Sequence, residues 1–232
     1  MTILLRIICL IIGYACGLLE TGVLYGKLKG VDIREHGSGN SGTTNALRVL
    51  GPKAGLVVFI GDFCKSFIPC LIARFVFKGM YPDTYLLYVL YTGFGAVLGH
   101  NFPFYLKFKG GKGVATTAGT IVGLLNPILI VVLLILFVIV ELITRYVSLG
   151  SILLMIELTI LYGVLLFTNH LCFDMSVASS KTAGIESFVL IILFSALCIF
   201  RHRANIVRLM RHEENKLSFS KKDKHEEDKK EK

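Results

Sequence analysis

The amino-acid sequence predicts an all-α integral membrane protein with seven transmembrane helices. Three observations carry that expectation. Of 232 residues, 54% are hydrophobic and only 18% are charged, and the mean hydropathy is +0.69, well above an ordinary soluble domain. Apolar stretches of about 20 residues, the length a bilayer requires, recur along the chain. The charges that remain collect between those stretches and in the tail, where residues 201–232 hold 11 Lys or Arg and 7 Asp or Glu. This composition excludes a soluble globular enzyme and a disordered chain. The net charge of +9 is explained by membrane topology, and no nucleic acid is expected as a partner.

The spans follow in order. The first covers 3–26. Arg6, an apolar run and Gly13-Tyr14-Ala15-Cys16 loosely resemble a lipoprotein cleavage site. However, Gly13 stands where a branched apolar residue belongs, and the apolar run continues to Tyr25, so a retained span is expected. The cysteines at 9, 16, 64, 70, 172 and 198 form no C-x-x-C pair. All but Cys172 fall in apolar runs, which reads as small buried hydrophobes. The second span, 54–78, contains Asp62 and Lys65 three residues apart on one helix face, and ionisable groups at such depth pair or line a site. The third, 84–106, is interrupted by His100 and Asn101. The stretch 113–143 exceeds one bilayer. Its Asn126-Pro127 is a turn signal, and the proline disfavours helix at the residue before it. Splitting there gives spans 113–125 and 127–143, the first short enough to sit partly in protein. The last two are 148–168 and 185–201. Glu157, central to its span, is expected to face the bundle interior.

Charge sets the sidedness. With seven spans, the segments 27–53, 104–112, 144–147 and the tail share one side and carry 20 of the 25 basic residues. A six-span reading would divide them. The positive-inside rule therefore places the N-terminus outside and the C-terminus in the cytoplasm. Residues 1–216 form the membrane domain, and 217–232 form a charged cytoplasmic tail expected to be disordered.

The segments placed inside are also rich in Gly, Asn, Ser and Lys. Residues 36–51 read HGSGNSGTTNALRVLG. Gly37-x-Gly39-x-x-Gly42 matches a dinucleotide fingerprint only formally, because a membrane helix and not a strand precedes it. Closely spaced glycines let backbone N–H groups converge on an anion. Thr43 or Thr44 can cap the helix that follows, and helix N-termini favour phosphate. Ser38, Asn40 and Asn45 add neutral polar groups, and Arg48 a bidentate phosphate clamp. The plain alternative is a flexible loop. Residues 99–113 read GHNFPFYLKFKGGKG. Here Gly110-Gly111-Lys112-Gly113 has the makings of a second anion nest that opens a helix. The interleaved Phe and Lys residues mark a membrane interface better than a single-stranded nucleic-acid site. His100 is open between general base, phosphate partner and capped interfacial histidine. The third cluster is RHRANIVRLMRHEENK, 201–216. A positive flank would explain its arginines, but not Asn205 or the glutamates.

These three strings resemble the motifs of a known family. SGNSGTTNALR is similar to its first motif, GHNFPFYLKFKGGKGVAT to its second and HRANIVRLMRHEENK to its third, with Arg145-Tyr-Val-Ser148-Leu-Gly-Ser151 between. The family is the bacterial acyl-phosphate:glycerol-3-phosphate acyltransferases, PlsY, and the resemblance covers roughly 1–216. It implies a seven-helix inner-membrane enzyme with its active site facing the cytoplasm. Such an enzyme moves a fatty acyl group from acyl phosphate to position 1 of sn-glycerol 3-phosphate, giving lysophosphatidic acid and inorganic phosphate. No metal, other cofactor or acyl-enzyme intermediate is implied. Membrane lipid is an expected partner, as is contact with the enzyme supplying acyl phosphate. Three departures stand out. Gly17-Leu18-Leu19-Glu20 replaces the usual Gly-Ser-Ile-Pro, Thr43 replaces alanine, and His212-Glu213 replaces Gly-Thr.

Acyl phosphate is an activated anhydride, so the site needs positioning and charge stabilisation more than a nucleophile. The expected catalytic residues are Ser38, Asn45, Arg48, His202 and Asn205. The first three help bind phosphate, while the last two orient the glycerol hydroxyl or the developing oxyanion. Phosphate binding is assigned to Gly39, Asn40, Gly42, Thr43, Lys107, Lys109, Gly110, Gly111, Lys112, Gly113, Arg203 and Arg208. Asp62, Lys65, His100, Arg145, Ser148 and Glu214 support them, Glu214 by ordering the third motif. Two other acyl- or phosphatidyl-transfer chemistries are disfavoured. His170 and Asp174 are four apart where a His-x4-Asp motif needs five, and there is no aspartate-rich metal helix. A small-anion transporter is the alternative from another class, but no internal repeat supports it.

Overall fold

The protein is described by a computed structural model covering residues 2–168 and 181–217. Cys172, the His170–Asp174 pair and the tail from 218 onward lie outside the described residues. Within them the chain forms α1 (Thr2–Gly17), α2 (Thr21–Leu28), α3 (Thr43–Leu50), α4 (Pro52–Met80), α5 (Tyr85–Asn101), α6 (Val114–Gly123), α7 (Pro127–Thr144), α8 (Val147–Phe167), α9 (Lys181–Arg201) and α10 (Arg203–Met210), with no strand among the described residues.

Among the described residues, five segments are long and apolar enough to cross a membrane: Ile3–Leu28, Pro52–Met80, Pro127–Thr144, Val147–Phe167 and Lys181–Arg201. The expected spans 84–106 and 113–125 appear instead as the shorter helices α5, of 17 residues, and α6, of 10. The first span is not one continuous helix. It breaks at 18–20, between α1 and α2, where Glu20 is 1% exposed. At the break the Leu19 carbonyl accepts from Lys65 Nζ at 2.8 Å. The turn at Asn126-Pro127 is present. Asn126 caps α7, its Oδ1 accepting from Ile128 N at 3.1 Å and Leu129 N at 3.2 Å, and Pro127 takes the first helical position, where no N–H is needed.

α5 is the hub, packed on α1, α4, α6 and α9. Glycines bring α1 and α5 together. A Cβ on Gly13 would lie 1.9 Å from Thr92 O, and one on Gly95 would lie 2.1 Å from Leu10 O, so the two backbones touch as small-residue membrane interfaces do. Tyr85, Tyr88, Met155, Leu158, Tyr162, Ile191 and Phe194 are fully buried between the helices. By contrast, α7 turns Val131, Leu134, Ile135, Val138, Leu142 and Ile143 outward, a surface suited to lipid and not to water. Glu157 is half-buried, with its Oε2 shielded, so the expected inward-facing carboxylate is met only in part.

Polar groups in the bundle pair across helices. Arg6 of α1 holds Glu186 of α9 at 2.7 Å, and Tyr91 of α5 donates to the same carboxylate at 2.8 Å. Arg74 donates to Leu124 O at 2.8 Å while stacking on Tyr85 at 5.1 Å. It thereby sets a cation at the C-terminal end of the short α6, where the helix dipole favours one. No disulfide is formed by Cys9, Cys16, Cys64, Cys70 or Cys198.

Candidate active site

The three polar motifs converge on one cavity of about 610 Å³. Its polar end is lined by Ser38, Asn40, Gly42, Thr43, Asn45, Arg48, Asp62, His100, Lys112, Gly113, Ser148, His202, Asn205, Arg208 and Glu214. The apolar remainder comes from α4, α6, α7 and α8, including Phe63, Ile121, Leu133, Phe137 and Leu158.

The first loop is shaped by its own asparagines. A 3-10 turn at Ile33–Glu35 opens it, capped by Asp32. The Arg34 guanidinium beside Asp32 holds that carboxyl down at about 2. Asn45, 1% exposed, accepts from Ser38 N at 2.8 Å and donates to Ile33 O at 2.7 Å and His36 O at 3.1 Å. Both amide hydrogens are therefore consumed by the loop. Asn45, expected to help bind phosphate, here folds the loop that carries Ser38. Nor does Thr43 or Thr44 cap α3. The cap is Gly42, whose N–H donates to Asn40 Oδ1 at 2.9 Å. Helix α3 then carries Arg48 to the cavity.

The second loop also departs from expectation. Gly110 N donates to Asn101 O and Gly111 N to His100 O, so these two amides do not join an anion nest. Their carbonyls accept from Arg201, at 2.8 Å for Gly110 and 3.1 Å for Gly111. What reaches the cavity is Lys112, followed by Gly113 at φ +84° and the first turn of α6. The leading N–H groups of that turn have no partner within the helix and face an anion well. Lys107 and Lys109 are exposed and lie off the cavity.

The third motif pins Lys112. Lys112 Nζ donates to Asn205 Oδ1 at 2.5 Å, Asn205 Nδ2 donates to Glu214 Oε1 at 2.8 Å, and Arg208 Nε donates to Glu214 Oε2 at 2.7 Å. Because Glu214 takes the amide N–H, the amide oxygen must face Lys112. Burial pushes the Lys112 ammonium down to about 8, with Arg208 and Arg201 adding to the effect and Glu214 opposing it. His202, 2% exposed, has Nδ1 2.8 Å from Cys198 O. Nδ1 therefore carries the proton, and Nε2 is left as an acceptor. Burial, followed by the charge of Lys112, lowers this imidazole to about 4, so it is neutral at pH 7. Arg203 is exposed and stacks on Phe200 at 4.7 Å, away from the cavity. Arg145 is exposed too, and its carbonyl accepts from Leu217 N at 2.7 Å. Gly39 is exposed and outside the lining.

Beneath both loops lies a buried polar cluster. Lys65 Nζ is 3.0 Å from Asp62 Oδ1, 3.5 Å from Glu20 Oε1 and 2.8 Å from Leu19 O. His100 Nδ1 sits 2.9 Å from Glu20 Oε1 and 2.7 Å from Lys65 Nζ. Asp62, Lys65 and His100 are legible in sequence as polar residues in apolar runs. Sequence reasoning missed the role of Glu20, and it gave Ser41 and Arg201 none. Only Glu20 carried a usable signal, a carboxylate in an apolar run. The cavity can hold phosphate at its cationic end and a hydrocarbon chain along its apolar wall.

A family model described as glycerol-3-phosphate acyltransferase matches residues 7–212. A glycerol-3-phosphate acyltransferase of Staphylococcus haemolyticus is 39% identical, the alignment covering 92% of this chain and 98% of that protein. One of Bacillus subtilis is 37% identical, with 90% and 96% covered. Two crystal structures of PlsY, an integral membrane glycerol 3-phosphate acyltransferase, resemble the fold. The glycerol 3-phosphate form has a TM-score of 0.76 at 36% identity, and the lysophosphatidic acid form 0.73 at 35%. Each covers 92% of this chain and 96% of the other.

Proposed function

This chain belongs to the glycerol-3-phosphate acyltransferase family, and from that premise we propose that its donor is acyl phosphate and that the cavity seats both substrates. The observation that carries the reading is Lys112, held by Asn205 at the mouth of α6, with Arg48, Arg208 and Ser38 around the same cavity. One phosphate-bearing substrate is supplied by the family's activity. A donor that is itself a phosphate fits a pocket with three cations at one end and a lipid-like wall at the other.

In the reaction a glycerol hydroxyl oxygen attacks the acyl carbonyl carbon. The new ester C–O bond forms, the carbonyl-to-phosphate C–O bond breaks, and the hydroxyl proton ends on the released phosphate. His202 Nε2, unprotonated, orients that hydroxyl as an acceptor. It has no proton to offer an oxyanion, so charge building on the carbonyl falls to Lys112 and the first turn of α6. Asn205 and Glu214 hold Lys112 in place. The acyl chain lies along Phe63, Phe137 and Leu158.

The chain would cross the inner membrane seven times, with α5 and the short α6 as two of the crossings. The basic segments, and with them the cavity mouth, would face the cytoplasm. The positive-inside distribution of 20 among 25 basic residues supports this. The test is purified protein with glycerol 3-phosphate and, in turn, acyl phosphate, acyl-CoA or acyl carrier protein. Lysophosphatidate and phosphate released together from the first donor alone are expected. Turnover from a thioester donor but not from acyl phosphate would overturn the donor assignment.

A further inference from the structure

Glu20 is bonded, directly or through one neighbour, to both phosphate loops. Its Oε2 accepts from Ser41 Oγ at 2.7 Å, and Ser41 stands between Asn40 and Gly42 in the first loop. Its Oε1 lies 2.9 Å from His100 Nδ1. His100 in turn holds the second loop twice. Its carbonyl accepts from Gly111 N at 3.0 Å, and its ring lies so close that a Cβ on Gly111 would come 2.0 Å from Nε2. The residue after Gly111 is Lys112. Lys65 then neutralises the carboxylate from below, 3.5 Å from Oε1. All four side chains are buried, Glu20 to 1% and Ser41 to 2%. Helix α2 starts at the next residue, and the backbone at Gly22 is pressed against Ser41 O, where a Cβ would come within 1.8 Å.

We propose that Glu20 is a positioning residue that fixes the distance between the Ser38–Arg48 loop and the Lys112 loop, and so the distance between the two bound phosphates. This rests on the reading that both substrates sit in the cavity. Glu20 touches neither substrate. Each loop folds on its own hydrogen bonds, the first through Asn45 and the second through His100 and Arg201. Loss of the bridge therefore leaves each phosphate bound but the reacting atoms misplaced. A shift in attack geometry lowers kcat and spares KM.

The test uses the full-length protein in detergent micelles, with activity normalised to the monodisperse gel-filtration peak. Glu20→Gln removes the charge that joins His100 and Lys65. Ser41→Ala removes only the hydroxyl at the other end. Glu20→Gln is expected to lower kcat about tenfold or more while both KM values stay within about threefold, the loss expected for a broken charged hydrogen bond. Ser41→Ala lowers kcat several-fold with KM unchanged, and the double variant is no slower than Glu20→Gln because both act through one contact. A kcat for Glu20→Gln within about twofold of wild type, or single effects that multiply in the double variant, overturns the proposal. If Glu20→Gln does not fold, Ser41→Ala decides alone, and an unchanged kcat overturns it. Wild-type protein in the same assay isolates the underlying reading. A wild type silent with every donor removes the acyl-transfer reading and the bridge together, whereas an active wild type with indifferent variants removes only the bridge.

Discussion

With Lys112 as the proposed phosphate ligand, the activity should titrate from the alkaline side. Lys112 sits at about 8 in the unliganded protein. It is cationic below that value and neutral above it, so rising pH removes the charge that holds a phosphate. At pH 7 about nine-tenths of the protein carries Lys112 charged, and at pH 9 about one-tenth. Since kcat/KM reports the free enzyme, it should fall about tenfold between pH 7 and pH 9. A phosphate monoester reaches its second ionisation near pH 6, and His202 titrates at about 4, so neither produces an alkaline limb. Bound phosphate favours the charged amine, so the limb in kcat lies at higher pH than the limb in kcat/KM. The assay is continuous phosphate release from acyl phosphate across pH 6 to 10, at limiting and saturating glycerol 3-phosphate. Lys112→Arg stays charged throughout. Its absolute rate falls, because a guanidinium does not fit the 2.5 Å contact to Asn205, but its profile should be flat above pH 8. A wild-type kcat/KM flat to about pH 9.5, or an arginine variant with the same limb near 8, would rule out Lys112 as the titrating group.

Other substitutions test separate parts. Glu214→Ala strands the buried Asn205 amide, which costs roughly 1–3 kcal/mol and should lower kcat/KM about tenfold or more, read by steady-state kinetics. Arg48→Ala should cut turnover sharply while membrane insertion, checked by fractionation, is unchanged. Lys65→Met leaves the Glu20 and Asp62 carboxylates buried beside an apolar chain. A loss of about 3–5 kcal/mol should appear as a lower melting temperature or as failure to accumulate. Gly95→Ala forces a methyl against Leu10 O and should lower thermal stability by roughly 1–3 kcal/mol, with the kinetics of the surviving protein unchanged.

Some of this architecture is legible in the sequence because its causes are local. Pro127 lacks an N–H and Asn126 supplies a cap, so the break before α7 needs no knowledge of the rest of the chain. Lys112 and Arg48 stand out as cations beside glycines in apolar surroundings. The remainder depends on contacts far apart in the chain. The Glu20 carboxylate finds Ser41, Lys65 and His100 across 21, 45 and 80 residues, and nothing near Glu20 announces them. The Asn45 amide has the right chemistry for phosphate, but loop closure against Ile33 and His36 claims it first. Gly110 and Gly111 look like free donors in a string of glycines, and only the return of the chain past His100 and Asn101 shows that they are taken. Lys107 and Lys109 share a motif with Lys112, yet the left-handed backbone at Lys107 and Phe108 turns the chain between them.

Helix α6 has eight fewer residues than α7, which follows it across residues 124–126. At 1.5 Å per residue, the two helices differ in length by about 12 Å. Lys112, just before that short helix, shares its cavity with apolar side chains of α4, α6, α7 and α8. An acyl phosphate is as vulnerable to water as to a glycerol hydroxyl, and in the open most of it would be wasted by hydrolysis. With the donor proposed above, apolar walls beside Lys112 would let the lipid tail dock while few waters accompany it. On the proposed reading, those walls would set the leak, the share of donor lost to water for each lipid made.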